Sequence, residues 1–420
     1  MPAATRSPTL TSTQITEYAE ERGMRVLISG GGIAGPALAF WLHRAGAEVT
    51  IVERAPEPRP GGHAVDVRGA ARGVVERMGI RDAIRTHQVD ERGWAMVDAR
   101  GKRLGAMPAD LFGGEGIVAE IEIARGDLAR ILYEATAADV DWRFGDQVTD
   151  LTPEGDVFFA GGRRERYDVV VGADGVRSGV RKLAFGPHRE FVQPLGAYGS
   201  YFTVPDPGDL DNWFEMYNAP GGRVAGIRPE RGGTAKASLS FRTKEQYGRL
   251  DRAQQIALLS AKFDKVGWRV PDLLRAMPDA PDFYFDEVSK VTVERWARGR
   301  VVLLGDAGYC GTPLAGMGTS MSLVGAYVLA GELAAAKTPE EGFAAYQREM
   351  ADYVAEGTQL PPGGVEMFAP NGRFMIRLRA LSMRMMGVWP MKGMVEKQFT
   401  KAEAITLKDY GQLRTQMSNG

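Results

Sequence analysis

Three short runs with unbroken apolar centres stand out along the chain: residues 25–29 (RVLIS), VVVGA ending at Ala173 and VVLLG ending at Gly305. Runs without alternation read as strands covered on both faces, the mark of a parallel sheet. Each opens into a glycine-bearing turn and then a helical pattern, over 37–45, over the residues after Asp174-Gly175 and over TSMSLVGAYVLAGELAAA. A further strand, 49–52, ends in Glu53. Residues 195–242 behave differently. YGSYFTV, NWFEMYNA, RVAGIRP and AKASLSFRT alternate and are separated by PDPGD, PGG and RGG, which predicts an antiparallel sheet.

Between these landmarks the periodicity predicts strands at 117–123, 140–144, 147–151 and 157–159, the last forming a hairpin through GGRRERYD into 169–172. Helices are expected for AARGVVERMG, for DLARILYEAT with Asp127 as its N-cap, for 252–263 and for 271–277; FYFDEVSKVTVERW returns to the sheet. From Phe343 the chain is helical and Met-rich, a pattern that signals packing before chemistry. The expected class is α/β, a Rossmann-like parallel sheet interleaved with an antiparallel sheet and followed by a C-terminal helix.

The first turn carries chemistry. Gly30, Gly32 and Gly35 form G-x-G-x-x-G between a strand and a helix, with Glu53 at the end of the next strand. That spacing allows a tight turn, close backbone approach to a pyrophosphate and a helix N-terminus aimed at the phosphates. Glu53 can accept both ribose hydroxyls and repels a 2′-phosphate, which favours FAD or NAD over NADP. The Asp174-Gly175 turn is a second phosphate-capable element at a strand's carboxyl end, and Asp306 with PLAGMG is a third. Asp66 and Arg68 fit equally a surface turn or a loop crossing the cofactor. Arg125, just before a helix, is either a solvated cap or a charged donor to the pyrophosphate.

Composition narrows the classes. With 52 Lys and Arg against 53 Asp and Glu the net charge is −1, which gives no basic patch for nucleic acid or an acidic membrane. Cys310 is alone, and His43, His63, His87 and His188 lack ligand spacing, so no metal site is expected. Residues 307–331 are uncharged but hold six glycines and Pro313, so they predict a glycine-rich turn feeding a core helix and no membrane span. Residues 1–23, without the apolar core of a signal peptide, are expected to be a mobile extension of a cytoplasmic protein.

With three glycine elements in this order, residues 24–370 resemble the class A FAD-dependent aromatic hydroxylases and monooxygenases. GGGIAG with Glu53, DGVRSGVR and GDAGYCGTPLAGMG carry the resemblance. GGHAVDVRG, RGDLARIL and EMFAP make the chain most similar to tetracycline-inactivating and polyketide-tailoring monooxygenases. The chain departs from the family's usual pattern at Gly308-Tyr309, Thr319-Ser320 and near Gly325.

The resemblance implies a glutathione-reductase-type FAD-binding domain from 24–70, 100–190 and 290–345, a substrate domain from 71–99 and 191–289, and a helical end at 346–420. It implies that Glu53 and Arg54 hold the adenosine half of FAD, that Asp66, Arg125 and Asp174 line the cofactor, that Asp306 binds the ribityl or pyrophosphate region, and that Pro313, Gly316 and Gly318 border the isoalloxazine. NADPH or NADH visits transiently, since no second G-x-G-x-x-G follows a later strand, and O2 supplies one oxygen through a flavin C4a-hydroperoxide. The substrate is an aromatic or polycyclic polyketide-like molecule on a monomer or homodimer. The sheet carries Tyr198, Tyr201, Trp213, Phe214 and Tyr217, and Ser200, Tyr201, Phe214 and Arg223 are the candidate substrate contacts. Baeyer-Villiger insertion, halogenation, dehydrogenation or a non-catalytic binding role on the same scaffold are the alternatives.

Overall fold

The computed structural model describes residues 23–59, 61–89, 91–112, 121–385 and 404–414. The expectation for an N-terminal extension therefore falls almost wholly outside the described residues, as do 117–120 of one expected strand and the Met-rich stretch after Met385.

The three apolar runs lie side by side. In a six-stranded sheet the order is Ala297–Arg298, Val301–Leu303, Val169–Gly172, Arg25–Ser29, Glu48–Glu53 and Asp141–Phe144. Every neighbouring pair is parallel except the first. Val26, Leu27, Ile28, Val169, Val170, Val171, Val301, Val302 and Leu303 are all fully buried, as continuous apolar runs require when both faces are covered. The helices Ala34–Arg44 and Gly318–Ala335 pack on one another and on this sheet. The uncharged stretch is thus a core helix, and among the described residues no helix is long and apolar enough to cross a membrane.

The alternating region builds the larger sheet. Its order is Tyr309–Cys310, Tyr284–Thr292, Val192–Pro205, Thr234–Arg242, Arg223–Pro229, Trp213–Ala219, Gly93–Val97 and Arg103–Pro108. All pairs are antiparallel apart from Trp213–Ala219 with Gly93–Val97. The helices Arg252–Lys262 and Val270–Ala276, expected from their periodicity, supply Leu259, Val270 and Leu273 to a second core.

Several boundaries differ from the sequence-based expectation. The helices Ala70–Arg77 and Arg81–Thr86 give Ala71, Val74, Val75 and Ile84 to the first core, so 71–86 does not belong with the larger sheet. Strand Arg103–Pro108 does belong there, although 100–190 was expected in the cofactor-binding unit. The boundary at 345 cuts the helix Pro339–Gly357, whose Phe343, Tyr346, Met350 and Tyr353 are all in the first core. Asp127 is not an N-cap: the helix runs Arg125–Glu134 with Ala124 at its cap, and Asp127 lies in the first turn 3.7 Å from Arg130.

Candidate functional site

The three glycine turns meet at the carboxyl ends of the parallel strands. The Gly30 N–H donates to the Val52 carbonyl at 2.9 Å, and its φ of +118° lies where L side chains rarely go. A Cβ there would stand 2.4 Å from the Ala173 carbonyl oxygen and 2.9 Å from the Asp174 Cα, so the first turn abuts the second. A Cβ on Gly305 would meet the Ser322 Oγ at 2.9 Å and the Ala34 Cβ at 3.2 Å, which sets the third turn against the start of the first helix. On Gly35 it would lie 2.0 Å from the Gly30 carbonyl oxygen, so the helix closes on its own turn only with glycine there.

Between these turns lie a helix start and one arginine. The helix after Gly32 has neither an acidic residue in its first turn nor a side-chain cap, which leaves its positive end available to an anion. Above it stands Arg125, whose Nη2 is 3.4 Å from the place a Gly32 Cβ would occupy. The Arg125 side chain is exposed and has no hydrogen-bond or ion-pair partner among the described residues.

Glu53 is more committed than the sequence suggests. Its Oε2 accepts from the Gly31 N–H at 2.9 Å, and its Oε1 accepts from the Ala55 N–H at 2.9 Å and from Arg59 at 3.1 Å. Burial alone would raise its pKa, but these donors outweigh it and hold the carboxyl below the usual range. Of roughly four acceptor positions on a carboxylate three are taken, which leaves one for a further donor. Arg54 is exposed at the strand's end, and Arg59 makes the ion pair with Glu53. Gly31, which the motif leaves unspecified, faces the Trp142 ring, where a Cβ would come within 2.8 Å.

Asp174 is occupied by its own turn. It accepts from the Ser178 hydroxyl and from the N–H groups of Gly179 at 2.7 Å and Val180 at 3.2 Å, which fixes the start of the helix Gly179–Ala184. Behind it Arg181 is fully buried and donates to the Ala307 carbonyl at 2.8 Å and the Val176 carbonyl at 2.6 Å. One guanidinium thereby ties the second turn to the third. Arg181→Met should lower stability by about 3 kcal/mol, since buried carbonyls lose charged donors. Thermal unfolding of the apoprotein reads this directly, and an unchanged midpoint refutes the tie.

Asp306, expected to end its strand, lies in the turn Gly305–Ala307, and its Oδ1 is 3.7 Å from the place of a Gly318 Cβ. Burial pushes its carboxyl up, with Cys310 and Arg125 acting in the opposite direction. Pro313–Ala315 is a single 3-10 turn, followed by Gly316 in the left-handed region at φ +67°. Asp66 lies across from it, 3.9 Å from a Gly316 Cβ, and accepts from Arg68 at 2.8 Å. The Arg68 N–H in turn donates to the Ser320 Oγ at 2.9 Å and its side chain is buried, so the loop from Gly61 crosses to the helix Gly318–Ala335 and is not a surface turn.

Of the four candidate substrate contacts two are absorbed by the scaffold. Ser200 is fully buried and donates to the Leu239 carbonyl at 3.0 Å. Arg223 donates to the Pro220 carbonyl at 2.8 Å and to the Lys262 carbonyl at 3.2 Å. Tyr201 stacks on His63 with ring centroids 4.8 Å apart, and Phe214 lies under the Arg228 guanidinium at 5.4 Å.

Arg228 itself was not foreseen. It reaches Glu91 at 2.6 Å through Nε and pairs with Glu122, which fastens the larger sheet to the strand Glu122–Ala124 beside the crossing loop. Burial dominates both carboxyls and raises them, Glu122 more strongly. Their sequence neighbourhoods carry no motif, because the three residues meet only through tertiary pairing. Lys236, equally unforeseen, holds Asp282 at 2.6 Å, and Asp282 lies against Gly61.

Comparison with known proteins agrees with this architecture. The family model described as an FAD binding domain matches residues 23–360. An FAD-dependent monooxygenase of Sarocladium schorii is 38% identical over 329 residues, covering 74% of this chain and 76% of that protein. An uncharacterised protein of Mycobacterium tuberculosis is 42% identical over 352 residues, covering 82% and 94%. The crystal structure of the tetracycline destructase Tet(51) superposes with a TM-score of 0.78 at 32% identity, covering 92% of this chain and all of that one. A parallel sheet with three glycine turns at one edge, facing a large antiparallel sheet, is the architecture of a flavin monooxygenase. The chain belongs to the FAD-binding monooxygenase family and is an FAD-dependent monooxygenase.

Proposed function

We propose that this enzyme consumes NADPH or NADH and places one O2-derived oxygen on an aromatic or polycyclic, polyketide-like substrate. The observation that supports the cofactor's orientation is the Arg125 guanidinium above Gly32, without a partner among the described residues, at a helix end without acids. There it neutralises the pyrophosphate, with Glu53 accepting one ribose hydroxyl, Asp306 accepting from the ribityl chain, and Pro313, Gly316 and Gly318 leaving backbone room for the ring system. The residues fit the group because a Cβ on Gly32, Gly316 or Gly318 meets no protein atom closer than 3.4 Å, so the open side of each turn is free for a ligand.

The chemistry supplied by FAD when bound is redox: a hydride is accepted from the nicotinamide, and O2 is activated so that one atom enters the substrate while the other leaves as water. The protein binds, orients and keeps water out. Tyr201 and Phe214 on the larger sheet offer a flat apolar wall for a fused-ring substrate, in keeping with the name of the similar Tet(51) protein. Asp66 and Arg68 hold the crossing loop against the third turn and so set the distance between wall and cofactor.

The test is NADPH and NADH consumption by the purified yellow protein, with and without aromatic polyketides. Stimulated consumption and a product heavier by one oxygen are expected, and NMR separates ring hydroxylation from Baeyer-Villiger insertion. Product carrying halogen, or lighter by two hydrogens, refutes the oxygen-transfer reading.

A further inference from the structure

The crossing loop carries one side chain whose polar atoms no described residue satisfies. Gly61 and Gly62, with φ of +74° and +100°, turn the chain between Asp282 of the second unit and the Arg125 side chain, and deliver His63 to the seam between the two sheets. The His63 carbonyl accepts from the Arg125 N–H at 3.0 Å, which fixes the backbone. Its imidazole lies nearly flat on the Tyr201 ring, centroids 4.8 Å and planes 29° apart. Neither ring nitrogen and no Tyr201 hydroxyl has a hydrogen-bond partner among the described residues.

The ring is also held uncharged. Burial is the main cause, and Arg125, Arg228 and Lys236 add to it against a smaller opposing effect of Asp66, so its pKa falls to about 4. At neutral pH it therefore presents one acceptor nitrogen and one N–H. Burial raises the Tyr201 hydroxyl, which stays protonated. The side of the loop toward the glycine turns is filled by Arg125 at Gly32 and Asp66 at Gly316, whereas His63 packs on the sheet wall.

We propose that His63 selects the substrate: its unprotonated ring nitrogen accepts a hydrogen bond from a phenolic or enolic hydroxyl on the ring to be oxidised, with Tyr201 as the aromatic floor. This rests on the reading above that the cleft takes an aromatic substrate. The O–H···N bond breaks no bond and transfers no proton. It shifts electron density from the hydroxyl into the ring, at the carbons where an electrophilic oxygen adds. A methoxy group in the same place has no proton to donate and brings an extra methyl into the stack, so the site discriminates against it.

The experiment uses the FAD-loaded full chain and two probes, alizarin and its dimethyl ether, with binding followed by quenching of flavin fluorescence. Wild type should prefer alizarin by about tenfold or more, the effect of one hydrogen bond to a buried group. His63→Phe keeps a ring on Tyr201 but has no nitrogen, and should bring the ratio to about one; His63→Gln, with donor and acceptor, should keep part of it. If the Phe variant does not fold, His63→Ala gives the same reading. A wild-type ratio near one, absent binding included, overturns the proposal, as does a full preference in His63→Phe. A variant that shifts the flavin spectrum and leaves the ratio unchanged makes His63 a cofactor contact and also overturns it. A colourless protein, or one without aromatic-stimulated NADPH consumption, fails the functional reading itself. A yellow, active enzyme with an unchanged ratio fails only this inference.

Discussion

Gly30→Ala should purify without FAD and with a lowered unfolding midpoint, whereas Gly32→Ala, two residues on, should fold normally and lose only affinity. The two glycines belong to one motif but meet different neighbours. At Gly30 the added carbon would come within 2.4 Å of the Ala173 carbonyl oxygen and 2.7 Å of its carbon, both backbone atoms of the adjacent strand's end, and φ is +118°. Nothing there is the movable tip of a side chain, so the turn or the sheet register must shift, at a cost of about 4 kcal/mol or more. At Gly32 the same carbon meets only the Arg125 Nη2 at 3.4 Å, an ordinary contact with a flexible group. The methyl then stands where the pyrophosphate approaches, and FAD affinity should fall about tenfold or more while the apoprotein keeps its stability. Thermal unfolding of the two apoproteins and fluorescence titration with FAD separate the cases. Equal behaviour of the two variants contradicts the assignment of one glycine to the fold and the other to the ligand.

The second large effect concerns two departures from the family pattern that turn out to be one. Tyr309 is one of these departures, and its hydroxyl lies 2.7 Å from the Tyr346 hydroxyl in the core. Gly325 on the helix Gly318–Ala335 supplies the room: a Cβ there would come within 2.4 Å of the Tyr309 hydroxyl and 3.1 Å of the Leu304 Cδ1. Gly325→Ala should therefore destabilise by about 1–3 kcal/mol through overpacking, despite alanine's better helix propensity. Tyr309→Phe alone should cost about 1 kcal/mol for the lost hydrogen bond. Combined, the two should cost less than their sum by about 1 kcal/mol, because removing the hydroxyl removes the clash. Urea unfolding of the four proteins completes the cycle, and strict additivity rules out the coupling.

The parts of this architecture visible in the sequence are those that local physics dictates. Continuous apolar runs such as 169–172 and 301–303 can be stable only between two covering layers, and glycine at Gly30 and Gly35 is demanded by backbone contact, so both the parallel sheet and its ligand-facing edge are legible. Gly93–Val97 lies in the larger sheet as expected, but 71–86 and Arg103–Pro108 were placed in the wrong unit: the first packs into the core of the parallel sheet and the second pairs with Gly93–Val97, and no local signal encodes either choice. Ser200 was misjudged because it adjoins Tyr201 on the strand Val192–Pro205, where successive side chains point to opposite faces, so the two cannot both face the cleft. Arg223 sits beside the Gly221-Gly222 turn, where its guanidinium folds back on the Pro220 carbonyl before it can reach outward. His63 and Arg228 left no trace because their meaning depends on a crossing loop whose path the sequence left open between two alternatives.

The strand Val301–Leu303 completes the six-stranded sheet beside Val169–Gly172, and the residues just after it, Tyr309–Cys310, join the larger sheet. Residues 301–310 thus close two structures at once, after some 300 residues have been made. A nascent chain released before that point has its first two glycine turns but lacks the third, so flavin loading should be a late event and a truncated chain should remain an apoprotein with both sheets open along the same seam.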